Sequence, residues 1–412
     1  MRERTLSLPE LLSPAGDRER LEAAVRFGAD AVYLGSSEYT MRSAPKNFSH
    51  TQVAEAVAYC HQNGVQVYLT CNTLPRNDEA DGIGDYLRFV GESGADGLIV
   101  ADIGVMMAAR RLIPQVELHI STQTGIVNWR AACELHALGA KRVVLARELS
   151  LEEIRVIREK TPQELELECF VHGAMCMSFS GRCLLSNYMT GRDGNRGQCA
   201  QPCRWSYRLM EEKRPGEYFP IFEDESGSYI FNARDLCMIE HLDKLAAAGV
   251  SSFKIEGRNK SAYYVAVITA AYRAALGELG KNPGHYELPQ WIVEETRRVR
   301  HRDYCTGFYF GVPQQGQYYE SGGYVSRWEV AAVVTGWRDG WLSLSQRNRF
   351  AVGDELEVLE PGQRPVSLRV TAMRDGEGNA IEACPHATME LSIPSKNAFP
   401  PGSLLRKCKE NE

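Results

Sequence analysis

The sequence predicts an α/β protein: a (β/α)₈ TIM-like barrel with a cysteine-rich insertion before its last strand, followed by a small all-β domain. Three observations predict it. A short apolar run ending in small or polar residues recurs eight times, with amphipathic stretches between. That spacing breaks once, between His172 and Ser252. Beyond residue 325 the hydrophobic period changes to two.

The eight runs are Leu11–Leu12, Ala31–Leu34, Val65–Thr70, Gly97–Ala101, Glu117–Ile120, Arg142–Ala146, Leu167–Val171 and Ser252–Ile255. They are apolar on both faces, as strands become when helices cover a parallel sheet. Several start after Gly28-Ala29, Gly64-Val65, Gly94-Ala95, Gly139-Ala140 or Gly249-Val250. Glycine at these steps suits the left-handed residue that ends a helix. Helices fill the intervals. Asp17 caps one that carries Leu21, Ala24 and Val25 and stops at Gly28. Ser49 with Gln52, and Ser150 with Glu153, form capping boxes ahead of apolar stripes. No Gly-x-Gly-x-x-Gly follows the first strand, which disfavours an open dinucleotide-binding sheet.

The expected organisation is a barrel over 8–280 that includes the insertion 174–250, a linker that partly packs over 281–322, and a β domain over 323–408. In the last, Glu329–Thr335, Trp341–Ser345, Glu355–Leu359, Ser367–Thr371 and Thr388–Ile393 alternate and are separated by turn residues.

Composition is that of a globular protein, with 44% hydrophobic and 24% charged residues. The net charge of −6 argues against wholesale nucleic-acid coating, and no DNA partner is expected, but a local basic groove stays open. The N-terminus lacks the apolar core of a signal peptide, and no run approaches the roughly 18 apolar residues of a membrane span. A cytoplasmic protein without membrane contact is therefore expected. There, twelve cysteines read as metal ligands, redox groups or core residues rather than disulfides.

Barrel enzymes place their chemistry at the carboxyl ends of the strands. Those ends carry Arg147-Glu148, His172-Gly173 and Glu256-Gly257-Arg258. Any one of them also serves as a cap or loop residue, but Arg147, His172, Glu256 and Arg258 together on one rim need a ligand, water or each other. They are the candidate catalytic residues. Cys176, Cys183, Cys199, Cys203 and Cys237 crowd the insertion. Thiolates suit zinc or iron–sulfur clusters, and a 4Fe–4S cluster needs four ligands. Spacing alone leaves two readings, metal ligands or buried structural cysteines. Cys60, Cys133 and Cys169 read as core by their place on helix stripes or in a strand. Cys71 ends a strand on the rim and stays open. The insertion also holds Arg182, Arg192, Arg196, Arg204 and Arg208, with Trp205, Tyr188 and Tyr207. Arginines pair phosphates and aromatic rings stack on unpaired bases, so this stretch is a candidate RNA contact. Equally, the arginines balance a cluster's charge or cover the insertion.

The run Glu168-Cys-Phe-Val-His-Gly-Ala-Met-Cys176-x₄-Gly181-Arg-Cys183-Leu-Leu-Ser186 resembles the signature of the collagenase-like peptidase family U-32. Glu10-Leu-Leu-Ser-Pro-Ala-Gly16, Gly28-Ala-Asp-Ala-Val-Tyr-Leu-Gly35 and Phe253-Lys-Ile-Glu-Gly-Arg258 match as well. The resemblance spans residues 8 to about 310, and a C-terminal β domain occurs in some members. It implies one of several activities. The family is named for collagenase activity, while other members resemble oxygen-independent hydroxylases. One branch makes 5-hydroxyuridine in tRNA with prephenate as hydroxyl source, another acts on 23S rRNA, and a third serves ubiquinone synthesis. The quinone branch implies a 4Fe–4S cluster on Cys176, Cys183, Cys199 and Cys237, with Cys203 as alternative ligand. Length, cysteine set and β domain resemble the tRNA branch most.

Hydroxylation of a tRNA uridine is therefore expected. Prephenate as co-substrate needs cations for two carboxylates, for which Arg258, Arg147 and Lys254 are nearest, and His172 or Glu256 would move protons. Arg192, Arg196, Arg204 and Arg208 would hold RNA. A peptidase is the alternative, although neither His-Glu-x-x-His nor Gly-x-Ser-x-Gly occurs. A third reading is a non-enzymatic cluster-bearing scaffold acting with a paralogous family member.

Overall fold

The computed structural model describes residues 8–41, 47–176, 180–181, 183–194, 198–204, 209–210, 218–219, 223–224, 227–228, 234–282, 284–311, 325–386 and 388–409. Eight parallel strands close into a barrel: β1 (Glu10–Ala15), β2 (Ala31–Gly35), β3 (Gln66–Cys71), β4 (Gly97–Val100), β5 (Glu117–Ile120), β6 (Arg142–Val144), β7 (Glu166–Ala174) and β8 (Ser252–Ile255). Closure is at β8, where Ser252 lies opposite Glu10 of β1 on one side and Glu168 of β7 on the other. Helices cover the outside, and β1, β2, β4 and β8 are buried almost end to end as a result. The expected caps form. Asp17 accepts from the N–H of Arg20, and Ser49/Gln52 and Ser150/Glu153 close reciprocal boxes. Gly28, Gly64, Gly94, Gly139 and Gly249 all take positive φ, between 71° and 106°, where a side chain would be strained.

The period of two puts Leu12, Ala31, Tyr33, Tyr68 and Ile99 into a small cluster distinct from the larger core between strands and helices. Charge fills the barrel interior from the amino ends of the strands inward. Arg142 of β6 donates to Glu10 at 2.7 Å, Glu166 at 2.7 Å and Glu168 at 3.1 Å. Lys254 of β8 reaches Glu168 at 2.7 Å. Ser252 and Tyr68 also donate to Glu10. Burial alone would raise the Glu168 carboxyl, but Lys254 and Arg142 hold it below its ordinary range.

Two features depart from the expected outline. β7 runs on to Ala174, and its extension pairs antiparallel with Asp235–Cys237, which in turn pairs with Tyr304–Cys305. The stretch read as a linker over 281–322 therefore supplies an edge strand, and also a helix at Gln290–Thr296. Strands of two or three residues carry no alternating pattern to be read. A buried pair holds this layer in place, with Arg302 donating to Asp235 at 2.8 and 3.0 Å.

The C-terminal strands form one seven-stranded antiparallel sheet, an open half-barrel, with a core of its own around Leu342, Phe350, Val358 and Leu405. Leu404–Cys408 lies near its middle and is absent from the expected strands; its Leu-Leu-Arg-Lys-Cys run does not alternate. Arg406 ties the domain to the barrel. It is fully buried and donates to Glu295 of the Gln290–Thr296 helix at 2.6 Å and to Glu357 of its own sheet at 2.8 Å.

Glu168→Gln leaves Lys254 and Arg142 short of a buried counter-charge. Urea unfolding should show a loss of about 3–5 kcal/mol. The native protein owes this stability to a carboxyl whose folded pKa is lowered. That contribution is present above the unfolded value of about pH 4.3 and is lost as pH falls through the folded value. The variant should therefore show a shallower decline on acidification.

Candidate active site at the barrel mouth

The carboxyl ends of the strands bring three of the expected cations around two aromatic rings. Lys254 Nζ stands 4.6 Å from the Tyr33 ring centre and 5.6 Å from that of Phe170. The Arg258 guanidinium lies 6.0 Å from Tyr33, and that of Arg147 lies 5.7 Å from Phe170. Each cation is held differently. Lys254 is paired with Glu168. Arg258 is buried and donates to Thr40 Oγ1 at 2.9 Å, Thr70 Oγ1 at 3.0 Å and the Met41 carbonyl. Gly35 makes this possible, since a Cβ there would fall 2.6 Å from Arg258 Nη1. Arg147 donates from Nη1 to the Ala174 carbonyl at 3.3 Å, while its buried Nε has no hydrogen-bond partner among the described residues. A buried donor left unmatched is costly, and a ligand oxygen would satisfy it.

Glu256 follows β8 directly. Gly173, at φ +114°, lets the end of β7 press against it: a Cβ there would sit 2.5 Å from the Glu256 carbonyl oxygen.

His172 requires a correction. Lys254 pairs with Phe170 but Ile255 pairs with His172, so β7 carries one extra residue at Val171. Phe170 keeps the side of Lys254, whereas His172 takes the opposite side with Ile255. Its ring lies among Tyr264, Tyr272 and Tyr304, with Nδ1 3.3 Å from the Tyr272 hydroxyl and Nε2 3.4 Å from that of Tyr304. It is 1% exposed, and burial pushes its pKa down to about 3. His172 is a neutral group behind the barrel wall, not a proton carrier on the rim.

The insertion begins across the rim. Glu148, at the end of β6, accepts from Ser180 N at 3.0 Å and Ser180 Oγ at 3.1 Å. Gly181, at φ +72°, approaches Gln123 beyond β5 so closely that a Cβ would meet the Gln123 carbonyl at 2.4 Å. Cys176 and Cys199 are exposed, and Cys183, Cys203 and Cys237 partly so. Cys199 Sγ accepts the Gln201 N–H at 3.4 Å. Cys237 lies opposite His172, with Sγ 3.9 Å from the Tyr272 hydroxyl; burial pushes its thiol up to about 11, against the pull of the Ile239 N–H. Among the described residues no three His, Cys, Asp or Glu side chains gather to hold a metal ion.

Cys60, Cys71 and Cys169 are core residues whose thiols burial pushes up to about 12. That decides Cys71, which is 2% exposed. Cys133 is half-buried and donates to the Lys160 carbonyl. Arg192 is exposed beside the helix Leu185–Thr190, whose Tyr188 is 87% exposed. Arg204 ends the short turn Pro202–Arg204. Arg182, Arg196, Arg208, Trp205 and Tyr207 lie outside the described residues. Sequence reading missed Tyr33 and Phe170, because strands apolar on both faces do not show which side chains turn inward. It also missed Thr40, for which no signal existed.

Residues 16–318 match the family model described as Peptidase family U32, and residues 326–406 match its C-terminal domain. The chain belongs to Peptidase family U32. It is similar to tRNA hydroxylation protein P1 of Bacillus subtilis (strain 168), 36% identical over 404 residues, covering 97% of this chain and 95% of that one. Similarity to tRNA hydroxylation protein P of Escherichia coli (strain K12) is 36% over 419 residues, covering 92% and 91%. A third relative, the 23S rRNA 5-hydroxycytidine C2501 synthase of the same organism, is 38% identical over 300 residues, 71% of this chain and 44% of that one.

Gly181→Ala should lift the start of the insertion from the rim, because the backbone of Gln123 cannot retreat as a flexible side chain would. Limited proteolysis should then cut the insertion severalfold faster, while thermal unfolding of the barrel changes little.

Proposed function

We propose that this U32 protein is an RNA hydroxylase whose substrate is a tRNA uridine, converted to 5-hydroxyuridine without O₂. The observation that carries the reading is the cationic mouth, above all the buried and unmatched Nε of Arg147. A peptide carbonyl needs no such collection of cations, whereas a small organic acid does. Relatives that align over nearly the whole chain are named for tRNA hydroxylation, which supports the same reading.

The conversion replaces C5–H by C5–OH, a two-electron oxidation of the base. The hydroxyl comes from an organic donor that is reduced by the same two electrons. A dicarboxylate such as prephenate fits as that donor. Arg147 would take one carboxylate through Nε. Arg258, fixed by Thr40 and Thr70, would stand near the other. Tyr33 and Phe170 provide an apolar surface between them. Glu256 would move a proton, since His172 is turned away. Tyr188 offers an exposed ring for an unpaired base.

Cys176, Cys183, Cys199 and Cys237 would hold a 4Fe–4S cluster. The N–H groups of Gln201 and Ile239, directed at Cys199 and Cys237, suit sulfur ligands of that kind. Such a cluster supplies electron transfer when bound. A paralogous partner and a cytoplasmic site belong to the same proposal. No helix among the described residues is long and apolar enough to cross a membrane.

Anaerobically purified protein should carry about four iron and four sulfide per chain. Serine at Cys176, Cys183, Cys199 or Cys237 should remove the iron, and serine at Cys60 should not. Stoichiometric zinc instead would defeat the cluster.

Mass spectrometry of tRNA nucleosides from a deletion strain, with any paralogue also removed, should show that 5-hydroxyuridine derivatives disappear. Arg147→Met should restore them poorly and raise KM for the donor more than it lowers RNA binding. Unchanged nucleosides, with gelatin cleavage that a rim substitution abolishes, would establish the peptidase.

A further inference from the structure

A second cationic site lies in the C-terminal domain, away from the barrel rim. Antiparallel pairing of Trp328–Arg338 with Leu404–Cys408 sets Glu329 opposite Lys407, and the Lys409 N–H donates to the Arg327 carbonyl at 2.8 Å. The turn after Trp341–Gln346 folds back on the same strand, with Arg347 N and Asn348 N both donating to the Ala331 carbonyl, and so brings Arg349 to the group. These residues line an open cavity of about 910 Å³, with Arg327, Arg349, Lys407 and Lys409 beside Glu329 and Asp354.

The charges do not cancel. Lys407 Nζ is 3.8 Å from both Glu329 and Asp354, so one lysine serves both acids. Lys409 donates to Ser326 Oγ at 3.3 Å, a neutral partner. Arg327 and Arg349 are exposed and make no ion pair among the described residues. Free guanidinium groups around a cavity, in a chain whose net charge is −6, concentrate positive potential where the rest of the molecule repels an anion.

We infer that this cavity binds the phosphate backbone of the RNA substrate. The inference rests on the RNA hydroxylase reading and adds where the polynucleotide is gripped. Position supports it. Val325, two residues before Arg327, forms a reciprocal backbone bridge with His301. The next residue, Arg302, is paired with Asp235, whose strand ends at Cys237. The domain that carries the cavity is thus joined by packed structure to the layer that ends at Cys237. A phosphate chain also suits several cations spread around an open cavity better than a small acid, which needs them converged.

The test is fluorescence anisotropy of the full-length protein with labelled tRNA across a salt series, comparing Arg327→Glu/Arg349→Glu with Arg364→Glu, an exposed charge reversal elsewhere in the same domain. The double variant should bind about ten-fold more weakly at moderate salt. Its plot of log affinity against log salt should be shallower by about 0.7–0.9 for each phosphate no longer neutralised, so about 1.4–1.8 for the two arginines. Arg364→Glu should match the native protein. Both substituted arginines lack ion-pair partners, so thermal unfolding should be unchanged. Equal weakening in Arg364→Glu would overturn the inference, because only the general field would be at work. So would unchanged tRNA affinity and slope, or binding of inorganic phosphate or poly-glutamate abolished while tRNA binding stays. Normal tRNA hydroxylation beside an unaffected double variant removes the cavity's role alone. Absence of both tRNA binding and hydroxylation in the native protein removes the function reading itself.

Discussion

The Glu168 carboxylate, clamped between Lys254 and Arg142, is the interaction on which the barrel depends. β8 must find both β7 and β1 after the whole segment 175–251 has intervened. Loop closure over such a length costs little more than over a short loop, since it grows only with the logarithm of length. Choosing the right register is harder, because apolar strands pair almost equally well when slipped. A slip of one residue would turn Lys254 outward and strand Glu168 without its partner. Buried ion pairs are poor sources of net stability, but a broken one is severely penalised. Here that penalty excludes wrong registers, and it fixes β1, β6, β7 and β8 at one end. The other end is left free to vary.

That freedom is used at β7. The extra residue at Val171 divides the strand into two functions. Before it Glu166, Glu168 and Phe170 face the barrel interior, and beyond it the strand pairs into a second layer built from Asp235–Cys237 and Tyr304–Cys305. The bulge therefore sends Phe170 toward Lys254 and Arg147, and sends His172 toward the tyrosines of the helix Ala262–Lys281 and its neighbour Tyr304. It also aligns Cys237 beside His172, so a cysteine of the insertion is anchored through backbone pairing to the barrel itself. A group bound by the insertion would in this way be referenced to the mouth through rigid strands rather than through loops, as positioning of reactive groups requires.

The repeating architecture was legible because each barrel unit repeats its own start and stop signals: caps such as Ser49 and Ser150, glycines such as Gly139 and Gly249, and apolar runs of the right length. Arg147 and Arg258 were legible as mouth residues because they follow such runs, and Lys254 because it lies near the end of one. His172 was not, because its direction depends on a single inserted residue, and hydrophobic pattern counts do not register a bulge inside an apolar strand. The Asp235–Cys237 and Tyr304–Cys305 strands were hidden for a related reason. Their pairing is created by the tertiary contact of Arg302 with Asp235, not by a local preference. The buried Arg406 was hidden too, since an arginine within a strand reads as exposed until Glu295 and Glu357 are seen on either side.

The two cationic sites differ in the way their proposed ligands differ. At the mouth the cations are buried or half-buried and rigidly held, by Glu168, by threonine hydroxyls or by a single carbonyl. Desolvated cations of this kind discriminate by geometry, because an anion of the wrong shape leaves a donor unmatched, as Arg147 Nε is without one. In the C-terminal domain Arg327 and Arg349 are exposed and long, and they make no ion pair among the described residues. They discriminate by charge density, and their grip weakens with salt. The proposed transfer of a hydroxyl from a small acid to one base of a large polyanion needs both kinds. Exposed charge holds the polymer without regard to sequence, while the enclosed mouth selects the reacting groups. The Val325–His301 bridge, the Arg302–Asp235 pair and the Arg406 contact join the C-terminal domain to the barrel through packed structure rather than through a flexible tether.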